Sequence, residues 1–273
     1  MDNRPIGFFD SGIGGLTSIP YIMRQLPAER IVFFGDTART PYGSKSPQTI
    51  RQFTLQIGEF MAKKGVKMMV VACNTISATS LDELQAAYPD IPVIGVIAPT
   101  AKVVARDVPP ESHIGILATK ATIRSGAYVS KILEHDPSRQ HIYSTACPAF
   151  VPLIEEGIID NQIMDLTIHY YLDRFVEEHQ IDTFVLGCTH YPLIADNLRR
   201  IYPDIRLISS SKEVATAVNI ELSRRHMYAG PHNQEKDNVF YASDLSENFV
   251  NMIQRILGRD QDELNIRFKN LDL

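Results

Sequence analysis

Short apolar runs alternate with longer amphipathic stretches along nearly the whole chain, and this alternation restricts the fold more than any other feature. The runs are almost continuously apolar, as strands buried on both faces of a parallel sheet are. In chain order they are IGFF, RIVFFG, KMMVVA, IPVIGV, HIGILA, HIYSTA, TFVLG and IRLIS, with NVFYAS as a further candidate before a last helix. Between them lie stretches of helical periodicity, such as SPQTIRQFTLQIGEFMAKKG and DLTIHYYLDRFVEEHQ. The pattern predicts an α/β fold in which mainly parallel sheets are flanked by helices.

The composition narrows the classes of function that such a fold could serve. The net charge of −5 over 273 residues is modest, and no block of like charges indicates a nucleic acid or a membrane surface as partner. No apolar run approaches the length of a membrane span, and the polar start MDNRPIG lacks the apolar region of a signal peptide. Three cysteines, an odd number, do not indicate a disulfide framework. We therefore expect a cytoplasmic protein with free thiols that acts on a small molecule.

Part of the chain resembles a later part when the sequence is shifted against itself by 108 residues. The shift places Ile6-Gly7 on Ile114-Gly115, Ser11 on Thr119, and Thr37-Ala38 on Thr145-Ala146. With seven more residues inserted in the second copy, Cys73 falls on Cys188. Chance matches between two strand-helix segments are the alternative explanation. We interpret the match as two similar, pseudo-symmetric domains, formed by residues 1–97 plus 209–273 and by residues 98–208.

Polar residues follow the apolar runs at five places, where each strand ends and a helix begins. Ligands of open parallel sheets bind at the carboxyl ends of the strands. The five places hold Asp10-Ser11, the segment 36–43, Cys73-Asn74-Thr75, Thr119 with Thr122, and Cys188-Thr189-His190. Free backbone amides at a helix start favour an anion such as a carboxylate, and they lower the pKa of a cysteine. We therefore expect an anionic ligand here, with cysteines of lowered pKa as bases.

Two cysteines at equivalent strand ends of facing domains would flank one ligand in the cleft. Inversion of a carbon centre needs one group that removes a proton from one face and another that supplies a proton to the opposite face, and two thiols can exchange these roles. Alternatives stay open, because a buried cysteine is often only a small apolar residue, as we expect for Cys147 in STACPAF. We expect no metal site, since Cys-x-x-Cys is absent and His190 is only two residues from Cys188.

Four motifs, in order along the chain, resemble those of the glutamate racemases. They are DSGIGGLT (residues 10–17), GDTARTPYGSKS (35–46), ACNT (72–75) and GCTHYPL (187–193). Members of this family have two pseudo-symmetric domains and make D-glutamate for bacterial peptidoglycan without pyridoxal phosphate. The resemblance implies the same fold, with the active site between the domains, and an isomerase that interconverts L-glutamate and D-glutamate. It further implies that no cofactor is needed, and it allows a homodimer.

The resemblance also implies roles for individual residues. It makes Cys73 the group that takes the proton from D-glutamate, and Cys188 the group that takes it from L-glutamate. Asp10 beside Cys73 and His190 beside Cys188 become assisting acid and base residues. The residues implied to contact the substrate are Asp10, Ser11, Pro41, Tyr42, Gly43, Asn74, Thr75, Thr119, Thr122, Thr189 and His190; Asp36 and Glu155 are further candidates for assistance.

The chain also departs from the family pattern, and other functions stay open. Ala118 stands where a glycine is usual and Ser209 where an aspartate is usual, and we expect neither change to abolish activity. Asp10 and His190 could be only cap or turn residues, and Glu155 only a solvated helix residue. An aspartate or other amino-acid racemase of the same superfamily is one alternative, because one methylene changes discrimination by only about 1–3 kcal/mol. A non-catalytic protein that closes on an amino acid is another, whereas DSGIGG lacks the GxGxxG spacing of a nucleotide site.

Overall fold

The computed structural model describes residues 1–231 and 238–271, and within these ranges the chain forms ten strands and twelve α-helices. The strands are β1 (Ile6–Asp10), β2 (Ile31–Gly35), β3 (Met68–Val71), β4 (Val93–Gly95), β5 (Ile114–Ala118), β6 (Ile142–Ala146), β7 (Thr183–Gly187), β8 (Arg206–Ser209), β9 (Val239–Ala242) and β10 (Asn265–Phe268). The helices are α1 (Ile19–Gln25), α2 (Pro47–Lys63), α3 (Asn74–Thr79), α4 (Leu81–Ala87), α5 (Ile97–Asp107), α6 (Lys120–Ser125), α7 (Ala127–His135), α8 (Phe150–Glu155), α9 (Gln162–His179), α10 (Ala195–Ile201), α11 (Ser210–Arg224) and α12 (Glu247–Leu257).

The strands form two sheets in which every pairing among the described strands is parallel. One sheet has six strands in the order β10-β9-β2-β1-β3-β4, and the other has four in the order β6-β5-β7-β8. The predicted α/β class with mainly parallel sheets is confirmed. Strand β10 follows the last helix and was not predicted, because NIRF is a short sheet-edge segment with two polar residues and no continuous apolar run.

Burial explains which strands read as continuous apolar runs. All five residues of β1, β2, β5 and β7 are buried, since these strands lie inside a sheet that is covered on both faces. Strand β6 forms an edge of the second sheet and is only partly buried, and it accommodates Ser144 and Thr145. The apolar pattern therefore identifies the interior strands more clearly than the edges.

The two sheets share one topology, because the order β2-β1-β3-β4 recurs as β6-β5-β7-β8. Ile6 of β1 pairs with Met68 of β3, and Ile114 of β5 pairs with Thr183 of β7. The shift from Ile6 to Ile114 is the 108 residues predicted for the first strand. The shift from Met68 to Thr183 is seven residues longer, as predicted for the cysteines. The boundaries of the two domains, residues 1–97 plus 209–273 and residues 98–208, remain a prediction.

The predicted match at the second strand of each copy is wrong. Ile31 begins β2 opposite the start of β1, but Ile142 begins β6 opposite the start of β5, so the connection is three residues longer in the second copy. As a result Thr145-Ala146 lie inside β6, whereas Thr37-Ala38 follow the end of β2. Helical connections vary in length without disturbing strand register, which a fixed sequence shift does not allow for.

Local signals fix the starts of the two longest helices among the described residues. Ser46 Oγ accepts a hydrogen bond from the Thr49 N–H at 3.2 Å, and Pro47 occupies the first position of α2. Asn161 Oδ1 caps α9 in the same way, at 3.0 Å from the Ile163 nitrogen. Neither of these helices, nor another in the described ranges, is both long and apolar enough to span a membrane.

Candidate active site

Loops at the carboxyl ends of central strands from both sheets meet around one small cavity. Ser11 and Cys73 come from loops beside β1 and β3 of the first sheet, and Thr119 and Cys188 directly follow β5 and β7 of the second. The cavity has a volume of about 20 Å³, which is room for roughly one water molecule. Its wall consists of Ser11, Thr40, Pro41, Tyr42, Gly43, Cys73, Asn74, Thr75, Thr119, Val151, Cys188, Thr189 and His190.

The structure brings together most, but not all, of the residues that the sequence singled out. Those outside the wall are Asp10, Asp36, Thr122 and Glu155. Thr40 and Val151 also line the cavity; Thr40 lies in the predicted segment 36–43 but was not named as a site residue, and Val151 was not predicted. The signal for Thr40 is its place inside the motif GDTARTPYGSKS, directly before Pro41. Val151 lies in an apolar helix segment that gives no chemical signal.

The Cys73 side of the cavity contains a hydroxyl and a fully buried carboxyl group. Ser11 Oγ lies 3.4 Å from Cys73 Sγ. Asp10 Oδ2 accepts a hydrogen bond from the Gly15 N–H at 2.9 Å, while Oδ1 has no hydrogen-bond partner among the described residues. Burial raises the pKa of the Asp10 carboxyl, and the positive charge of His190 and the Gly15 N–H offset this only in part. Asp10 is therefore a stronger base than an ordinary aspartate.

The Cys73 thiol lacks the lowered pKa that its position before a helix predicts. Burial raises the pKa of the Cys73 thiol, and the negative charge of Asp10 raises it further. Hydrogen bonds from Ser11 and the Ile76 N–H lower it by less. The hydrogen bonds at the start of the helix therefore do not compensate for burial and for the charge of Asp10. The expectation of a lowered pKa is wrong for Cys73, whose buried thiol holds its proton more strongly than an ordinary cysteine does.

On the Cys188 side, an imidazole ring lies between the thiol and a carboxylate. His190 Nδ1 is 3.9 Å from Cys188 Sγ, and His190 Nε2 is 3.1 Å from Glu155 Oε1. The hydroxyl of Thr40 donates to the same Glu155 oxygen at 3.3 Å. Burial lowers the pKa of the His190 ring, but Cys188 and Glu155 raise it by more, so that the pKa is well above its ordinary value. The ring is placed to exchange a proton with Cys188.

Three threonine hydroxyls form a connected group across the cleft. Thr75 Oγ1, beside the first sheet, lies 2.9 Å from Thr119 Oγ1 and 3.5 Å from Thr122 Oγ1, beside the second. Thr119 also caps α6, accepting a hydrogen bond from the Thr122 N–H at 3.3 Å. Hydroxyls and backbone amides at helix starts are suitable donors to a carboxylate. The cleft therefore offers hydrogen-bond donors suited to an anionic group.

Asp36 stabilises a loop of the wall and does not face the cavity. Its Oδ2 accepts hydrogen bonds from the Tyr42 hydroxyl and from Arg39 Nε, the latter at 2.7 Å, and its Oδ1 accepts one from the Ser243 hydroxyl at 2.8 Å. A buried carboxylate with these partners is satisfied within the protein. Asp36 thus orients Tyr42 and the adjacent Gly43, both of which line the cavity.

Two glycines allow the two sides of the cleft to approach closely. A Cβ atom on Gly14 would collide with the His190 ring and would lie 2.5 Å from Thr189 Oγ1. A Cβ on Gly43 would lie 2.6 Å from the Cβ of Thr119. The glycines of DSGIGG, which the sequence analysis weighed as a nucleotide signal, include one that makes room for His190. Sequence reasoning missed this role because the contact joins residues far apart along the chain.

The chemistry available in the cavity is acid–base exchange at two thiols, together with hydrogen-bond donors for carboxylates. Within residues 1–231 and 238–271, no group of three or more His, Cys, Asp or Glu side chains is arranged to hold a metal ion. The cavity presents two thiol groups, Cys73 and Cys188, which come from loops of two different sheets.

Comparison with known proteins identifies similar chains over almost the full length. Residues 20–218 match the family model described as Asp/Glu/Hydantoin racemase. The chain is 41% identical over 259 residues to a glutamate racemase of Geobacter metallireducens, with 94% of each chain covered. The crystal structure of glutamate racemase from Francisella tularensis in complex with D-glutamate matches with a TM-score of 0.91 at 37% identity, over 100% of this chain and 99% of that one. A glutamate racemase isoform of Bacillus anthracis matches with a TM-score of 0.90 at 34% identity, again over 100% and 99%.

Proposed function

The chain is an isomerase of the Asp/Glu/hydantoin racemase family, and from this premise we propose that it interconverts L-glutamate and D-glutamate without a cofactor, through Cys73 and Cys188. The observation that carries the proposal is that the two thiols line one cavity from two different sheets. Inversion at a carbon needs groups on both of its faces, which this arrangement supplies. The similar chains are glutamate racemases, which supports glutamate as the substrate.

The proposed reaction transfers one proton to, and one proton from, the protein. Starting from L-glutamate, Cys188 as a thiolate takes the Cα proton, and the Cys73 thiol gives its proton to the opposite face of the carbon. Burial and the charge of Asp10 raise the pKa of the Cys73 thiol, which supports that it enters this step with a proton to give. Each turnover leaves Cys188 protonated and Cys73 deprotonated, so both groups must exchange protons with their surroundings before the next. Starting from D-glutamate, the roles are reversed.

The neighbours of each thiol are proposed to carry out this exchange. Asp10, whose pKa is raised by burial, accepts a proton from Cys73 when D-glutamate is the substrate. His190 accepts a proton from Cys188 when L-glutamate is the substrate, and Glu155 stabilises the imidazolium that forms. The assisting groups therefore differ between the two sides, an imidazole with its carboxylate on one and a buried carboxyl group on the other.

The size and lining of the cavity bear on how the substrate binds. Hydroxyl groups of Ser11, Thr75, Thr119 and Thr189 surround it and can donate to carboxylates. A volume of about 20 Å³ is too small for an amino acid, since it holds roughly one water molecule. We therefore propose that the two sides separate to admit glutamate and close around it.

Aspartate is the competing substrate, because sequence similarity within a family discriminates poorly between amino acids that differ by one methylene. Circular dichroism of L-glutamate and L-aspartate solutions incubated with the pure protein measures this directly. We expect the signal of glutamate to decay to zero and that of aspartate to persist. If only the aspartate signal is lost, aspartate and not glutamate is the substrate. If neither signal is lost, the proposal of racemase activity is rejected.

The proposed two-thiol mechanism is tested by isotope incorporation. In heavy water, L-glutamate should become D-glutamate carrying deuterium at Cα, while unreacted L-glutamate stays unlabelled at early times. A single base acting on both faces would return some of the original proton to the product and would label the recovered substrate. Mass spectra of the separated enantiomers distinguish these outcomes, and substantial protium in the first product would contradict two separate thiols.

The cellular role that we propose is supply of D-glutamate for peptidoglycan. Disruption of the gene should make growth depend on added D-glutamate, and complementation by a chain with Cys73→Ala should fail. Growth without D-glutamate would argue against this role. A homodimer remains a prediction from family resemblance, which light scattering of the pure protein would measure.

A further inference from the structure

Asn74 follows Cys73 directly and lines the cavity, but residues outside the cavity hold its side-chain amide. Its Oδ1 accepts a hydrogen bond from the hydroxyl of Tyr128 at 2.6 Å, and its Nδ2 donates to Ser210 Oγ at 3.2 Å. Ser210 Oγ in turn donates to the backbone carbonyl of Leu186 at 3.3 Å. Tyr128 is 2% exposed and Ser210 is fully buried. One buried chain of hydrogen bonds thus connects the residue after Cys73 with the strand that leads to Cys188.

The Leu186 carbonyl determines which group donates and which accepts in every hydrogen bond of this series. The Leu186 carbonyl can only accept, so the hydroxyl of Ser210 must donate to it. Ser210 therefore accepts from Asn74, which places the amide nitrogen on the Ser210 side and Oδ1 on the Tyr128 side. Tyr128 completes the chain as the donor to Oδ1. Ser210 and Tyr128 thus hold the Asn74 amide at its nitrogen and at its oxygen, and loss of the Tyr128 hydroxyl leaves Oδ1 without its hydrogen-bond donor.

The hydrogen-bonding groups of the Asn74 amide that these contacts leave unused determine which ligand groups it can bind. Of its two N–H groups, one donates to Ser210, and because Asn74 lines the cavity we infer that the other is available to a ligand there. An N–H donor attracts a carboxylate, whereas the carbonyl oxygen of a reversed amide would repel it. The orientation of this amide therefore matters for a dicarboxylate substrate.

We propose that Tyr128 is a positioning residue for the racemase reaction, which fixes the Asn74 amide with its nitrogen available as a donor to a substrate carboxylate. This rests on the proposed function, because it requires an amino-acid substrate in the cavity. Tyr128 lies in the first turn of α7 beside the second sheet, and Asn74 lies beside the first. The hydrogen bond between them also forms across the two sides of the cleft, so it orients Asn74 when the sides are together.

The test is Tyr128→Phe, which removes one oxygen atom and preserves the packing of the ring. The contact between Asn74 and a carboxylate is the same in the ground state and the transition state, so its loss should raise KM and leave kcat nearly unchanged. We expect KM to rise about tenfold for both enantiomers with kcat within about twofold. Tyr202→Phe is the control, because it also loses a tyrosine hydrogen bond, to Asp173 at 2.6 Å, but does not contact the cavity.

A double-mutant cycle shows whether Tyr128 acts through Asn74. In an Asn74→Ala background, Tyr128→Phe should change KM by less than about twofold, because the amide that it orients is gone. Ser210→Ala interrupts the same chain at its other link and should raise KM as Tyr128→Phe does, and it serves as the test if Tyr128→Phe does not fold. An unchanged KM, an equal effect in both backgrounds, or the same effect in the Tyr202 control would overturn the proposal.

Failure of this inference can be distinguished from failure of the proposed function. The wild-type protein is assayed first, and absence of racemase activity there would reject the function itself. A wild type that racemises glutamate, with a Tyr128→Phe variant of unchanged KM, would reject only the positioning role.

Discussion

Glu155 Oε1 lies 3.1 Å from His190 Nε2, and this contact joins the end of helix α8 to the loop that follows strand β7. The other ring nitrogen lies 3.9 Å from Cys188 Sγ, so a carboxylate, an imidazole and a thiol form one row. Cys73 has a different setting, with the Ser11 hydroxyl 3.4 Å away and the buried carboxyl group of Asp10 close enough for its charge to raise the pKa of the thiol. The two cysteines are thus equivalent in topology but not in their chemical surroundings, and the predictions below follow from that difference.

Replacement of either cavity cysteine by alanine should abolish interconversion in both directions, because each inversion needs one thiol to take a proton and the other to give one. We expect Cys73→Ala and Cys188→Ala each to lose at least about a thousandfold in kcat. Cys147→Ala is the matched control, since Cys147 is also buried but does not line the cavity, and it should retain activity. Circular dichroism measures both directions, and full activity in either cavity variant would reject the two-thiol mechanism.

The assisting groups should act in opposite directions of the reaction. Asp10→Asn should slow proton removal from D-glutamate more, and His190→Asn should slow proton removal from L-glutamate more, because each group serves the thiol beside it. Overall rate ratios are tied to the equilibrium constant, so the asymmetry should appear in primary isotope effects with Cα-deuterated substrates. Equal isotope effects in both directions for both variants would contradict the assignment.

Removal of the Glu155 charge should lower the pH at which His190 loses its proton. A histidine whose folded pKa is raised contributes stability that is fully present below about 6.5 and is lost as the pH rises through the folded value. In Glu155→Gln this loss should begin at lower pH, because one cause of the raised pKa is gone. NMR titration of the His190 ring and urea unfolding across this range measure the change. Glu156→Gln, at an exposed neighbouring position, should leave the titration as in the wild type.

Asp10→Asn should stabilise the fold at neutral pH while it reduces activity. The pKa of Asp10 is raised by burial, so the native state binds a proton that the unfolded state has lost, and stability falls as the pH rises from about 3.8 through the folded value. Asparagine cannot ionise, and the variant should lack this fall and gain on the order of 1 kcal/mol at pH 7. Urea unfolding at several pH values measures the free energy of unfolding of the wild type and the variant. Parallel pH dependences of this free energy would show that ionisation of the buried carboxyl group does not destabilise the fold.

Gly14→Ala should reduce activity without unfolding the protein, because the added Cβ would occupy space that the His190 ring and Thr189 now fill. Overpacking of this kind costs about 1–3 kcal/mol, and displacement of the ring from Cys188 should lower kcat about tenfold or more. Gly230→Ala is the control, since a Cβ there would meet only Met1 and Asn3 at 3.3 Å or more. Wild-type kcat in Gly14→Ala would show that the ring position is not critical.

Much of the fold was predictable because interior strands have local signatures. The eight apolar runs and the segment NVFYAS all contain strands, and helices α2 and α9 fall where the periodic stretches predicted them. Strand β10 escaped prediction because an edge strand of four residues needs neither continuous apolar character nor full burial. The second-strand match failed because register is fixed by pairing with β5, not by the length of the preceding connection.

The sequence by itself determined the parallel α/β architecture and the positions of Cys73 and Cys188 at equivalent strand ends, since both depend on patterns within short segments. Only the tertiary structure decided the chemical state of the groups around them. Burial and the charge of Asp10 raise the pKa of Cys73 against its local helix-start setting, and Asp36 is satisfied by Tyr42 and Ser243. Likewise Tyr128 reaches Asn74 only across the cleft. Desolvation and hydrogen bonding depend on which residues are close in space, and these partners are far apart along the chain.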